Sequence, residues 1–399
     1  MGAPGAHAQA PDAALTEPRQ ALERALDCRG VVVGRPAVLL VHGAGSSAEE
    51  SFSFGYAHVL PTLGYAVCTV RLPGHGLVDR QRSFQYVVYA VREIARISQR
   101  KVSLIGHSQG AVLVTYAPYF WPDLPAKIDD VIGLAGPYRG TTTADAACAD
   151  GTCPVFAWQL RTGSNLNAAY RAASRPAGPS FTAIATNFDE LVTPAPQAAR
   201  LDGASNVVIQ DLCPARPVDH YLLVADAVAY ALALDALMHP GPADPSRFDP
   251  ATCLQTIIPG ADLAKAAAIG PLAIANATAR MAAAPEVDRE PAPQCPFAAD
   301  CPPPQLRLHL TRRCANGRRL RIALTGDVHA VHGVDFKLGR RLVRRDVREP
   351  FAGTVRVSRR AHRVRLRAIV QLDASARRPS LTLSRSLPRC GGAAAAGSS

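Results

Sequence analysis

KVSLIGHSQGAVLVTYAPY, residues 101–119, decides the reading of the fold. Lys101 to Ile105 is a β-branched-rich run with strand character, and Ala111 to Tyr119 continues as an apolar helix. Between them Gly106-His107-Ser108-Gln109-Gly110 fits the GxSxG pattern. The pentapeptide alone is common by chance. Its place between a strand and a helix makes it a tight turn that holds the Ser108 hydroxyl clear of the backbone. Gly106 and Gly110 suit such a turn, because strand and helix approach too closely there for side chains. The helix N-terminus favours negative charge developing beside the serine. The bland alternative is a glycine-flanked turn holding an ordinary serine.

Reading outward, the same rhythm recurs from Pro36 to about Met238: AVLLVHG, AVCTVRL, VIGLAG, SFTAIATN and NVVIQD each precede a loop or helix-like segment. Continuous Val/Leu/Ile runs of this kind belong to strands buried on both faces, so the expected fold class is α/β with a mostly parallel sheet wrapped by helices. A serine hydroxyl becomes a nucleophile only when a histidine removes its proton and a carboxylate orients that histidine. In such a sheet the three come in the order Ser, Asp/Glu, His. Asp189 follows SFTAIATN, and His220 follows NVVIQDLCP, ahead of an expected helix YLLVADAVAYALALDAL. Glu190, Asp202, Asp211 and Asp219 compete for the acid's role, and an Asp on a helix or strand is more often a cap or a solvated charge. His42, His58, His75 and His107 are disfavoured as bases by chain order, and His239 by its place at the far end of a helix. Val41-His42-Gly43-Ala44-Gly45-Ser46-Ser47 follows an apolar run, and the N–H groups of Ala44 and Gln109 are the candidate oxyanion donors. An ordinary glycine-rich turn is the competing reading of that segment.

The ten cysteines of the 399 residues are even in number and are not arranged as CxxC knuckles, so disulfides and an oxidising, secreted setting are expected. No metal or organic cofactor is expected. Ala6, Ala8 and Ala10 have the spacing of a signal-peptidase site without the regions that should precede it, so residues 1–24 read as a signal-peptide remnant or disordered tail. No run approaches the roughly 18 uncharged apolar residues of a membrane span, since Asp226 and Asp235 interrupt the most apolar helix. The expected organisation is a catalytic domain over 25–284, a Pro-rich disulfide-containing linker over 285–304, a β-domain over 305–390 and a tail over 391–399. The catalytic domain would end in an Ala-rich helix, Pro259 to Ala284, broken near Gly270-Pro271. Beyond the linker, LRLHL, RLRIALTG, GTVRVSR, HRVRLRAIVQL and LTLSRSL alternate with period two, predicting a small antiparallel, sandwich-like unit stapled by Cys314 and Cys390. Between Gln305 and Cys390 there are 22 Lys+Arg against 5 Asp+Glu, a charge of +17 beside the chain's net +12, so the basic character belongs to this unit alone. Its Arg-rich faces read either as solvated strands or as a grip on anionic surfaces. Nucleic acid is the weakest such partner, because no aromatics interleave.

With these residues in view, the chain resembles the Candida antarctica lipase B family and its actinobacterial relatives over roughly Ala25 to Cys301. LVHGAGSS looks like that family's oxyanion segment, PYRGT and WQLRTGSNL its pocket flank, TNFDELVTP its acid loop, and LCPARPVDH its histidine loop. The resemblance implies an α/β-hydrolase in which Ser108, Asp189 and His220 form a triad, Ala44 and Gln109 the oxyanion hole, and Leu191 and Val192 part of the substrate pocket. It also implies disulfides Cys28–Cys68 and Cys213–Cys253, beside which Cys148 with Cys153 is an extra local pair and Cys295 with Cys301 a looser fit. Two positions depart from the family: His107 stands where it has Trp, and Ala44 where it has Thr. The expectation is a monomeric lipase or esterase acting on acyl esters or lipids. An acyltransferase on the same scaffold and a non-catalytic surface-binding protein are the alternatives.

Overall fold

The structure is a computed structural model that describes residues 15–298, 306–310, 319–326, 328, 331–347, 350–356, 363–372 and 380–388. Leu15–Ala299 forms one compact unit, and the residues from Asp300 belong to a second.

The first unit is built on β1 (Leu26–Arg29), β2 (Ala37–Val41), β3 (Ala66–Val70), β4 (Val102–His107), β5 (Ile128–Leu134), β7 (Ser180–Ala185) and β8 (Ser205–Val208), while the two-residue β6 (Cys153–Pro154) stays outside this sheet. The strand order is β1-β3-β2-β4-β5-β7-β8, parallel throughout except for β1. The six apolar runs read from the sequence are the six parallel strands. The pleat explains why each run is apolar throughout. Leu39 and Val41 of β2 point into one core with the helices Arg80–Ser98 and Gln109–Phe120, whereas Val38 and Leu40 point into the other with the helix Ala227–Met238. Full burial of each such side chain contributes roughly 1.5–3 kcal/mol.

Disulfides join Cys28 to Cys68 and Cys213 to Cys253, as the resemblance implied, and Cys148 to Cys153, the expected extra local pair. Cys28 and Cys68 are directly opposed in the β1–β3 ladder. Cys295 is also disulfide-bonded, and its expected partner Cys301, like Cys314 and Cys390, lies outside the described residues.

Four expectations need correction. Residues 15–24 are not tail-like: Arg19–Ala25 is a helix with Leu22 buried in the core, and Glu17 pairs with Arg82 at 2.6 Å. The expected linker belongs to the first unit as far as Ala298. There β9 (Glu286–Val287) pairs with β6, Glu290 accepts the N–H groups of Asn165 and Leu166, and the Phe297 ring packs against Phe84, Phe120, Trp121 and Tyr170. Proline content misled here, because one aromatic side chain with a pocket to fill outweighs it. The Ala-rich helix runs unbroken from Leu263 to Ala282 with Pro271 inside it, the alanines around it being strong helix formers. The helix expected from Tyr221 instead begins at Ala227, where Asp226 caps it by accepting the N–H groups of Val228 and Ala229.

Among its described residues the second unit holds seven strands: β10 (Leu306–Leu310), β11 (Arg319–Gly326), β12 (Val331–Leu338), β13 (Arg341–Asp346), β14 (Ala352–Arg356), β15 (Arg363–Leu372) and β16 (Ser380–Pro388). They form two antiparallel sheets, β10-β11-β14 and β13-β12-β15-β16, whose inner faces share one apolar core around Leu320, Ile322 and Leu324 of the first and Phe336, Leu366 and Val370 of the second. β12 and β13 add to the five strands read from the sequence. VHGVDFKL hides its alternation behind Gly333 and Asp335, and the Asp335 carboxylate is held by both Nε and Nη2 of Arg345 at 2.6 and 2.9 Å.

Candidate active site

Ser108 sits between β4 and the helix Gln109–Phe120 with φ 54° and ψ −124°, a positive-φ conformation that side-chain-bearing residues rarely adopt. Its N–H is fixed by the Leu134 carbonyl at 2.8 Å. A Cβ added at Gly106 would lie 2.4 Å from the Gly110 carbonyl oxygen, and one at Gly110 would lie 2.1 Å from that of Val41. Both glycines are therefore required by close approach, as the sequence suggested.

His220 and Asp189 are buried at 2% and 7% exposure. The His220 Nδ1 lies 3.0 and 2.9 Å from the two Asp189 carboxylate oxygens. Asp189 Oδ1 also accepts the N–H groups of Leu191 at 3.0 Å and Val192 at 2.7 Å. An ionised carboxylate at Nδ1 calls for a proton there, which leaves Nε2 as the basic nitrogen. Glu190, the acid's sequence neighbour, accepts the His220 backbone N–H at 3.1 Å. The other candidates are engaged elsewhere: Asp202 pairs with Arg139, Asp219 accepts the Leu222 N–H, Asp211 lies on the short helix Ile209–Leu212, and His239 contacts Asp235. His58 lies on the short helix Tyr56–Val59, and His75 faces the Ser46 carbonyl at 3.1 Å.

Two further histidines support the site without being placed as bases. His107 donates its Nε2–H to the His220 carbonyl at 2.9 Å, and the two rings stand 4.8 Å apart. Burial, then the neighbouring His220, pushes the His107 pKa down to about 3, so its ring is neutral. His42 donates Nδ1–H to the Gly43 carbonyl at 2.8 Å and accepts the Leu72 N–H at Nε2, 3.2 Å away. Burial lowers its pKa to about 4. The turn carrying Ala44 is thus braced from behind. It is braced again where the Gly45 N–H meets the His75 carbonyl at 2.8 Å. Gln109 follows Ser108 as the first helical residue, and its side chain donates to the Gly76 carbonyl at 2.7 Å.

Ser108, His220, Ala44, Leu191 and Val192 all line one predominantly apolar cavity of about 500 Å³. Sequence reading assigned no residue of its cover. The helix Leu263–Ala282 supplies Ala266, Gly270, Ala273, Ile274, Ala277 and Met281, and their spacing of three and four residues was the available signal. That helix is tied down beside the Ala44 turn. Arg280 donates to Glu50 at 2.7 Å and to the Gly45 carbonyl at 2.9 Å, and Asn276 donates to Glu50 at 2.9 Å. Burial raises the Glu50 pKa, but the bonds from Arg280, Asn276 and Ser47 outweigh it and hold the carboxyl below the usual range. Among the described residues no cluster of three or more His, Cys, Asp or Glu side chains is placed to hold a metal ion, and no helix is long and apolar enough to cross a membrane.

A parallel sheet with a serine on a strained turn after its central strand defines an α/β-hydrolase fold. No protein-family model matches the chain. Over 240 residues it is 29% identical to lipase B of Pseudozyma antarctica, a match spanning 57% of this chain and 69% of that protein. The crystal structure of Aspergillus fumigatus lipase B matches with a TM-score of 0.67 and 26% identity, covering 74% of this chain and 77% of that one. The chain is an α/β-hydrolase of the lipase and esterase kind, related to these lipase B proteins.

Proposed function

We propose that the protein is a secreted serine carboxylic ester hydrolase with Ser108, His220 and Asp189 as its triad. Ser108 attacks the ester carbonyl carbon while His220 Nε2 takes its proton and returns it to the leaving alcohol. Asp189 holds the tautomer and stabilises the imidazolium. The N–H groups of Ala44 and Gln109 receive the oxyanion, and water, activated by His220, then releases the acid from the acyl-enzyme. Leu191 and Val192 form part of the wall against which the substrate lies. The observation that carries this reading is the buried His220–Asp189 pair opening on the same apolar cavity as a serine held at positive φ. The disulfides support secretion.

The test is hydrolysis of p-nitrophenyl esters from acetate to palmitate by wild type and Ser108→Ala. Loss of activity in the variant, with the fold unchanged by circular dichroism, is expected, and the chain-length profile separates esterase from lipase. A folded wild type inert on every ester overturns the reading.

A further inference from the structure

We propose that the outward face of the sheet β13-β12-β15-β16 docks on an anionic lipid surface. Val334, Phe336, Leu366, Ala368 and Val370 point inward and are buried. The alternating residues therefore point outward. The ladders align Leu342 with Lys337, Lys337 with Arg367, and Arg367 with Ser384, so one row across four strands places two cations side by side. Arg365, opposite Ser386, extends the row along β15. Like charges directly opposed weaken a sheet, and an anion lying across them reverses that cost. Among the described residues the carboxylate on this face is Asp335, which is gripped by Arg345, and Arg367 donates to the neutral Gly339 carbonyl, which leaves Lys337, Arg365 and Arg367 as surplus positive charge.

Charge complementarity selects an anionic occupant, and the rest of the face favours lipid over nucleic acid. Leu342 is 44% exposed beside Lys337, and Ile369 follows Arg367 on the same outward row of β15. Aliphatic side chains among cations suit the boundary between head groups and acyl chains. Among the described side chains of these four strands the single Phe, Tyr or Trp is Phe336, which is buried, so they offer no Phe, Tyr or Trp ring for base stacking.

The experiment is flotation of the full-length protein with phosphatidylcholine vesicles containing or lacking phosphatidylglycerol. Wild type is expected to bind the anionic vesicles, weakening with salt. The triple variant Lys337→Ser, Arg365→Ser, Arg367→Ser is expected to bind on the order of 100-fold more weakly, each cation near such a surface being worth roughly fivefold. A matched variant on the other sheet, Arg307→Ser, Arg321→Ser, Arg356→Ser, is expected to stay near wild type. Circular dichroism and hydrolysis of soluble p-nitrophenyl acetate should be unchanged in both. Equal binding by wild type and the first variant, equal weakening by both variants, binding to neutral vesicles alone, or preferential capture of an oligonucleotide would each overturn the proposal. An ester-inert wild type that still binds anionic vesicles would overturn the hydrolase reading and leave this one standing.

Discussion

His107→Phe removes the donor that holds the His220 carbonyl at 2.9 Å while keeping an aromatic ring in the buried space between β4 and the histidine loop. A buried carbonyl left without its partner costs about 1–3 kcal/mol. If the whole cost falls on the placement of His220 in the transition state, kcat drops about 5- to 150-fold at 1.36 kcal/mol per decade. If it falls on folding, the melting midpoint drops instead, by roughly 2–4 °C per kcal/mol in a unit of this size. Because burial holds the His107 pKa near 3, the ring carries no charge in the working range. The loss should therefore be the same factor at every pH between about 5 and 9. His107→Gln, which can still donate to the carbonyl, should recover most of it. The assay is kcat and KM on one soluble p-nitrophenyl ester across pH, with thermal melts of the three proteins. A Phe variant within about twofold of wild type in kcat and with an unchanged midpoint would refute the reasoning, since the cost must appear in one or the other.

Arg216→Met leaves Asp226 buried without its cation and also strips the donors from the carbonyls of Cys253, Gln255 and Thr256, so unfolding should become easier by about 3–5 kcal/mol. Urea denaturation checks it, and a loss under about 1 kcal/mol would show the pair to be inert. Asp130 tests the pH dependence of stability: burial, against bonds from Ser180 and Ser103, raises its pKa to about 6. Folded Asp130 thus holds its proton more tightly than in the unfolded chain, and the stability it gives at low pH is lost as pH rises from about 4 to 6. Asp130→Asn should raise the midpoint at neutral pH, by roughly 2–3 kcal/mol in stability, and bring no gain near pH 4 in the same denaturation assay.

The parallel strands and the serine turn were legible because burial on both faces leaves few polar positions to blur the runs, as in AVLLV. The short antiparallel β1, LDCR, alternates half-buried and exposed residues and has no such signature. The residues proposed as a triad were picked out by chain order, and the structure places Ser108 and His220 on one cavity with Asp189 2.9 Å from the His220 Nδ1. The roles of His42 and His107 were not: a histidine that braces a carbonyl differs from any other only through its partner, which for His107 lies far away in sequence. The Arg280–Glu50 tie was hidden for the same reason, its two residues being 230 positions apart.

The position of Phe297 also bears on the order in which the chain is made. Its ring completes the aromatic cluster of Phe84, Phe120, Trp121 and Tyr170, so the last piece of the first unit's core leaves the ribosome well after the sheet that it stabilises. Until then that cluster stands open on a nascent chain, a surface for chaperones or for aggregation, and synthesis passes directly from its closure into the arginine-rich strands.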